Sequence, residues 1–152
     1  MNKIDLKRLA GYRQDLALWS AEQAALIREG KLDRVDLENV AEEIESLGRS
    51  EESEIENRMA VLLAHLLKHQ FQPDKRSPSW TSTIFEQRYR IARVIRRSPS
   101  LKAYPATTLD GEYLIARRNA AAETGMPIEA LPETCPYTID QALDPDYLPG
   151  QS

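Results

Sequence analysis

Between Asp36 and Phe71 the chain runs DLENVAEEIESLGRSEESEIENRMAVLLAHLLKHQF, with no proline and a single glycine. At about 100° per residue, Leu37, Ala41, Ile44, Gly48, Ile55, Met59, Leu62 and Leu66 fall in one apolar band. In the second half the apolar arc widens, because Ala60, Leu63, Ala64, Leu67 and Phe71 join it. A helix that is apolar over half its circumference belongs in the middle of a bundle, not on its surface. The stretch therefore predicts one long central helix. Gly48 either ends a first helix, with Ser50 capping the next, or stays helical where another helix comes close. The band keeps its phase across Gly48, which favours the continuous helix.

The elements around it follow from caps and breakers. A first helix is predicted from Asp15 to Glu29, with Tyr12, Leu16, Trp19, Gln23 and Leu26 at helical spacing and Gly30 as its stop. Asp36 caps the central helix, with Glu38 in its first turn. Pro73 and Pro78 mark the loop that follows. A third helix is predicted from Ser79 to Arg97, with Trp80, Ile84, Ile91 and Ile95 as its inner stripe. Ser98-Pro99 opens a short turn that Pro105 interrupts, and a last long helix runs from Thr108 or Asp110 to Thr124, closed by Gly125. Leu109, Tyr113, Ala116 and Ala120 are its inner residues.

From Met126 onward the character changes. Five of the nine prolines lie there, yet so do Ile128, Leu131, Tyr137, Ile139, Leu143, Tyr147 and Leu148, which need burial. This predicts an extended strap laid over the bundle, with Thr138 capping one short helix to Leu143. The fold class expected is all-α: about four main helices in one domain over residues 1–152, with a bundle over 1–125 and a strap over 126–152. A chain of 152 residues is long enough to bury a core of that kind.

Charge is unevenly placed. Net charge is −4 overall, so nothing global points to nucleic acid or a membrane. From Asp36 to Glu56, however, there are nine acids and one base, and from Lys68 to Lys102 nine bases and two acids. Glu38, Glu42 and Glu45 form one row along the central helix, a row that continues into the core further on. Carboxylates so near a core need partners. Arg88 lies in line with Ile84, Ile91 and Ile95, so it points inward, where its fork suits a glutamate. The expected arrangement is an internal charge network of Glu42, Glu45, His65 and Arg88. Arg90, Arg93, Arg96 and Arg97 face outward. Arg90, Arg93 and Arg97 are the candidates for tracking phosphates, although a solvated surface is favoured and no stacking aromatics are seen among them.

The case for catalysis is thin. His65 and His69 are four apart, the spacing that lets two imidazoles share a metal. Leu66 stands where a zinc protease needs glutamate, and only Glu43 or Cys135 offers a third ligand. No metal site, cofactor or catalytic residue is assigned. Cys135 has no base beside it in sequence. A single cysteine excludes an intrachain disulfide and suits a reducing compartment. No secretory leader is expected in MNKIDLKRLAGYRQ, and the run Met59 to Ala64 is far below the roughly 20 residues of a membrane span. A cytoplasmic location is expected.

The landmarks resemble a bacterial family known only as a domain of unknown function, number twenty-nine of its series, common in cyanobacteria and proteobacteria. The matching pieces are Asp15 with Trp19, Asp36-Leu37-Glu38-Asn39-Val40, Glu42-Glu43-Ile44-Glu45 and Leu47-Gly48. After these come His65-Leu66-Leu67-Lys68, Trp80, Arg88, Ser98-Pro99-Ser100-Leu101 and Cys135-Pro136-Tyr137-Thr138. The resemblance spans nearly the whole chain and implies an all-helical fold and no established activity. One departure is His69, at a position that is aromatic in most relatives. The function expected is non-enzymatic: a helical interaction module acting through self-association or a protein partner. The alternatives are nucleic-acid association through the third helix and a metal-dependent enzyme using His65 and central-helix glutamates.

Overall fold

The computed structural model describes residues 11–150. Its elements are α1 (Leu16–Arg28), α2 (Leu37–Phe71), α3 (Pro78–Arg97), α4 (Tyr104–Thr124) and the short α5 (Ile139–Leu143), joined by single 3₁₀ turns. Among the described residues there is no strand. The all-α expectation holds. The expectation about a leader falls on residues outside those described.

The boundaries obey local chemistry. The Asp15 carboxylate accepts from the Leu18 amide at 3.0 Å and starts α1. At the other end Gly30 takes φ +74°, so that Lys31 N donates to Leu26 O and Gly30 N to Ile27 O. These are the paired bonds of a Schellman stop, and a side chain at Gly30 would strain it. Ser77 caps α3, with Pro78 in the first turn. Pro105 does not interrupt a helix, as the sequence reading had it. It sits in the first turn of α4, where a missing N–H costs nothing. Thr138 and Gln141 cap α5 reciprocally.

α2 is one helix of 35 residues, helical straight through Gly48. No close approach explains that glycine, since a Cβ there would meet nothing within 4 Å. The chain divides into two compact units, residues 1–49 and 50–152, so the boundary falls within α2.

The first unit holds α1 and the start of α2. Its buried side chains are few: Trp19, Gln23, Leu26 and Val35. Asp36 is the clasp. Its carboxylate takes Trp19 Nε1 at 3.2 Å and Asn39 Nδ2 at 2.8 Å, while its own amide donates to Gln23 Oε1 at 2.7 Å. The Asn39 hydrogen bond, with that of Trp19, holds the Asp36 carboxyl below its ordinary range. Tyr12 packs edge-on against Trp19.

The second unit contains the hydrophobic core. Ile55, Met59, Leu62, Leu63, Leu66 and Leu67 of α2 meet Ile84, Ile91 and Val94 of α3 and Tyr113, Ala116 and Ala120 of α4. Residues from Met126 to Leu148 lie on this core as the strap that was expected. Leu131, Tyr137 and Ala142 are buried. A strap without ladder partners leaves carbonyls unsatisfied, and side chains of the bundle take them. Tyr113 donates to Pro132 O at 2.5 Å. Arg117 donates to Ile128 O at 2.9 Å and to Leu131 O. His69 Nδ1 lies 3.2 Å from Pro149 O.

Candidate functional site

The band of α2 that was predicted to be core is core only from Ile55 onward. Leu37, Ile44 and Leu47 are exposed, Ile44 at 62% and Leu47 at 69%, whereas Ile55 and Met59 are fully buried. Leu16 and Ile27 of α1 are also exposed, and Ile27, Ile44 and Leu47 line an apolar groove of about 350 Å³. Its walls are Trp19, Ala24 and Ile27 on α1 and Val40, Ile44 and Leu47 on α2. Leu16, Ser20, Gln23 and Ile27 share one stripe of α1 by the i, i+4, i+7, i+11 rule.

Glu43, which lines the groove, and its neighbours Glu42 and Glu45 have partners within the same unit. Glu43 accepts from the Tyr12 hydroxyl, an interaction that raises the phenol's pKa above its ordinary value. Arg49 reaches back along α2 to Glu42 at 2.7 Å and to Glu45 at 3.7 Å. These are surface pairs of small individual worth, but they leave the groove's apolar floor with a partly neutralised rim.

The four residues of the expected charge network are therefore placed differently. Glu42 and Glu45 are held by Arg49. His65 Nδ1 lies 2.9 Å from Val61 O, one turn back on its own helix. Burial holds its pKa below the ordinary 6.5. Arg88 is buried as predicted, but its fork takes no carboxylate. Its Nε donates to Ala142 O at 2.8 Å and its Nη2 to Gln141 O at 3.2 Å. Those carbonyls belong to the last turn of α5, where a helix leaves acceptors open and a cation is favoured. Asp144 lies near enough to support the charge, although burial dominates and lowers the guanidinium pKa.

Opposite charges of the two middle segments do meet, at another pair. Arg97 grips Glu51 bidentately, Nη2 to Oε1 at 2.6 Å and Nε to Oε2 at 2.9 Å, and Ser98 Oγ adds a third donor. Arg97 and Ser98 hold the Glu51 carboxyl below its ordinary range. Glu56 accepts from Tyr104, whose pKa rises to about 12, chiefly through that bond. Buried Lys68 reaches Glu123 at 2.6 Å and lies over the Trp80 ring.

The three candidate phosphate-binding arginines come together. Arg90, Arg93 and Arg97, with Glu54 and Val94, line a cleft of about 240 Å³. Arg90 pairs with Glu86 at 2.9 Å. Arg93 is exposed, and among the described residues no carboxylate pairs with it. The sequence reading found no stacking aromatics here, and that was wrong. Phe85 and Tyr89 stand on the exposed face of α3, their rings 6.4 Å apart and only 17° from parallel. Arg96 lies over the Tyr89 ring at 5.8 Å. The signal was in the sequence, since an aromatic pair at i, i+4 off the Ile84–Ile91 stripe must share an outer face.

Among the described residues no three His, Cys, Asp or Glu side chains are grouped to hold a metal. The Cys135 thiol donates to Tyr137 O, and burial raises its pKa, which makes it a poor nucleophile. No described helix is long and apolar enough to cross a membrane.

The described residues define an all-helical protein. The chain belongs to the family described as domain of unknown function DUF29, whose model matches residues 11–148. No curated protein and no solved structure matches it.

Proposed function

We propose that the chain is a non-enzymatic, self-associating helical module in which two copies pair through the α1–α2 hairpin. The observation that carries this reading is the apolar groove of the first unit, with Ile27, Ile44 and Leu47 exposed in its walls and Leu16 and Leu37 exposed on the same two helices. Large exposed apolar side chains of this kind are what the buried core of a protein interface is made of. Two hairpins placed face to face make a four-helix bundle by a two-fold operation, so one self-complementary surface serves both copies. The second copy supplies the layer that the sequence of α2 calls for. The compensation of Glu42, Glu45 and Glu43 by Arg49 and Tyr12 reduces repulsion between the two rims. With α2 unbroken across Arg49 and Ser50, residues 1–152 are read as one helical domain, and a cytoplasmic location belongs to the same reading.

Size-exclusion chromatography with light scattering tests it. The expected mass is twice 17.3 kDa at micromolar concentration, falling to the monomer for Ile44→Asp with Leu47→Asp while helix content is kept. A wild-type monomer at that concentration rejects pairing.

A further inference from the structure

We propose that the outer face of α3 is a platform for single-stranded nucleic acid, with Phe85 and Tyr89 stacking on bases and Arg90, Arg93 and Arg96 holding the backbone phosphates. The site lies wholly in the second unit and stands independently of pairing through the first.

The aromatic pair is the first argument. Phe85 is 66% exposed and Tyr89 52%, so two large rings stand in water one helical turn apart. Burial would be worth much to each of them, and their near-parallel planes present flat faces. An aromatic face accepts any base, because every base has a π-face of its own. Beside Tyr89 a shallow hollow lined by Phe85, Ala92, Leu143 and Pro145 gives about 180 Å³ of largely apolar space.

Charge is the second argument. Along α3, Arg88, Arg90, Arg93, Arg96 and Arg97 face a single acid, Glu86. Arg88 is spent on α5 and Arg97 on Glu51. Among the described residues neither Arg93 nor Arg96 has a carboxylate partner, and Arg96 lies over the Tyr89 ring, a geometry that leaves its donors free for a phosphate. The Arg90–Glu86 pair is an exposed i, i+4 bridge, which yields readily to a stronger anion. Glu54 at the cleft's edge opposes an anion, but Arg58 and Arg97 lie within 3.7 and 3.9 Å of it.

Strandedness follows from the rings. A duplex hides its base faces within the stack, and only an unpaired strand offers them. The whole chain is acidic, at −4, so affinity comes from this local face and falls with salt. With three arginines on phosphates the single-strand slope is about −2, a drop of roughly tenfold or more between about 50 and about 200 mM salt.

The test is fluorescence polarisation of the full chain, stripped of copurifying nucleic acid, with labelled oligothymidylate, oligouridylate and a mixed-sequence duplex. The expected result is binding of the single strands with that salt dependence and weaker binding of the duplex. Affinity falls at least about tenfold in Phe85→Ala with Tyr89→Ala, and again in Arg93→Glu with Arg96→Glu. All four side chains are exposed, so helix content by circular dichroism stays at the wild-type value. Absence of single-strand binding at low salt overturns the proposal. So does binding that the aromatic double variant leaves unchanged, or that the duplex matches, since either result reports charge alone. Loss of oligomeric mass in the aromatic variant without any oligonucleotide binding overturns it too and gives the face to a protein contact.

Discussion

The two ends of α2 carry one continuous apolar band and meet opposite fates. From Ile55 to Leu67 the band is sealed by α3, α4 and the strap. At Leu37 and Ile44 the same band is exposed, with α1 beside it among the described residues. Periodicity reports that a helix has a face to bury. It does not report whether the cover is in the same chain. The difference teaches that an apolar stripe on a helix marks a face able to be buried, and that one helix can have that face covered at one end and exposed at the other.

The largest expected effect tests the sealed end. Leu66→Ala removes a fully buried side chain and is expected to cost about 2–5 kcal/mol in urea unfolding. The matched change at the open end, Leu47→Ala, is expected to cost less than about 1 kcal/mol in a monomer held by dilution, and to show itself as weaker association. Equal losses at the two positions would erase the contrast.

Next in size is Arg88. Arg88→Met leaves two carbonyls of α5 without donors, and about 1.5–3 kcal/mol is expected for hydrogen bonds from a charged group. Limited proteolysis should then cut between Leu131 and Pro149 faster than in the wild type, while sites around Gly48 are unaffected.

A pH effect near neutrality belongs to the sealed end, which carries both histidines. Burial, with Arg76 close by, holds the His69 pKa below its ordinary 6.5, against the pull of the Pro149 carbonyl. His65 is lowered in the same direction by burial and by Lys68, with Glu123 opposing. Above about pH 6.5 both imidazoles are neutral folded or unfolded, and they cost nothing. As pH falls through 6.5 the unfolded chain takes up protons first, so stability drops until the depressed folded values are reached. Thermal melts from pH 7.5 to 5.5 should show that slope, and His69→Phe should flatten it.

The smallest effect sharpens the open end. Gly48→Ala is expected to add about 0.5–1 kcal/mol to unfolding free energy, because its Cβ meets open space within the chain. A loss instead would mean that a helix of the neighbouring copy comes close there.

Much of the fold was legible because helix ends are local chemistry. Asp15, Gly30, Gly125 and Thr138 act within a few residues of themselves, and each does what its type implies, whereas Ser98 opens its turn without a side-chain cap and gives its hydroxyl to Glu51. Pro105 was misread because a proline that breaks a helix and one that begins it look alike until the preceding turn is known. The charge network was legible only as a balance. Counting acids and bases showed that partners were needed, and Arg97 with Glu51 supplies one such pair. Counting cannot see backbone carbonyls, and Arg88 found its acceptors there. The rings of α3 are hard to read from the sequence because Phe85 and Tyr89, apolar types usually buried, stand exposed among arginines on the outer face.

The strap has a consequence for the order of events in the cell. Arg88, Tyr113, Arg117 and His69 are all polymerised before the carbonyls they serve at Ile128, Leu131, Pro132, Gln141, Ala142 and Pro149. Until residues 128–149 have left the ribosome these side chains lack their acceptors, so the bundle locks only after the strap has emerged. A message truncated within the strap leaves a product with unsatisfied donors, open to quality-control proteases.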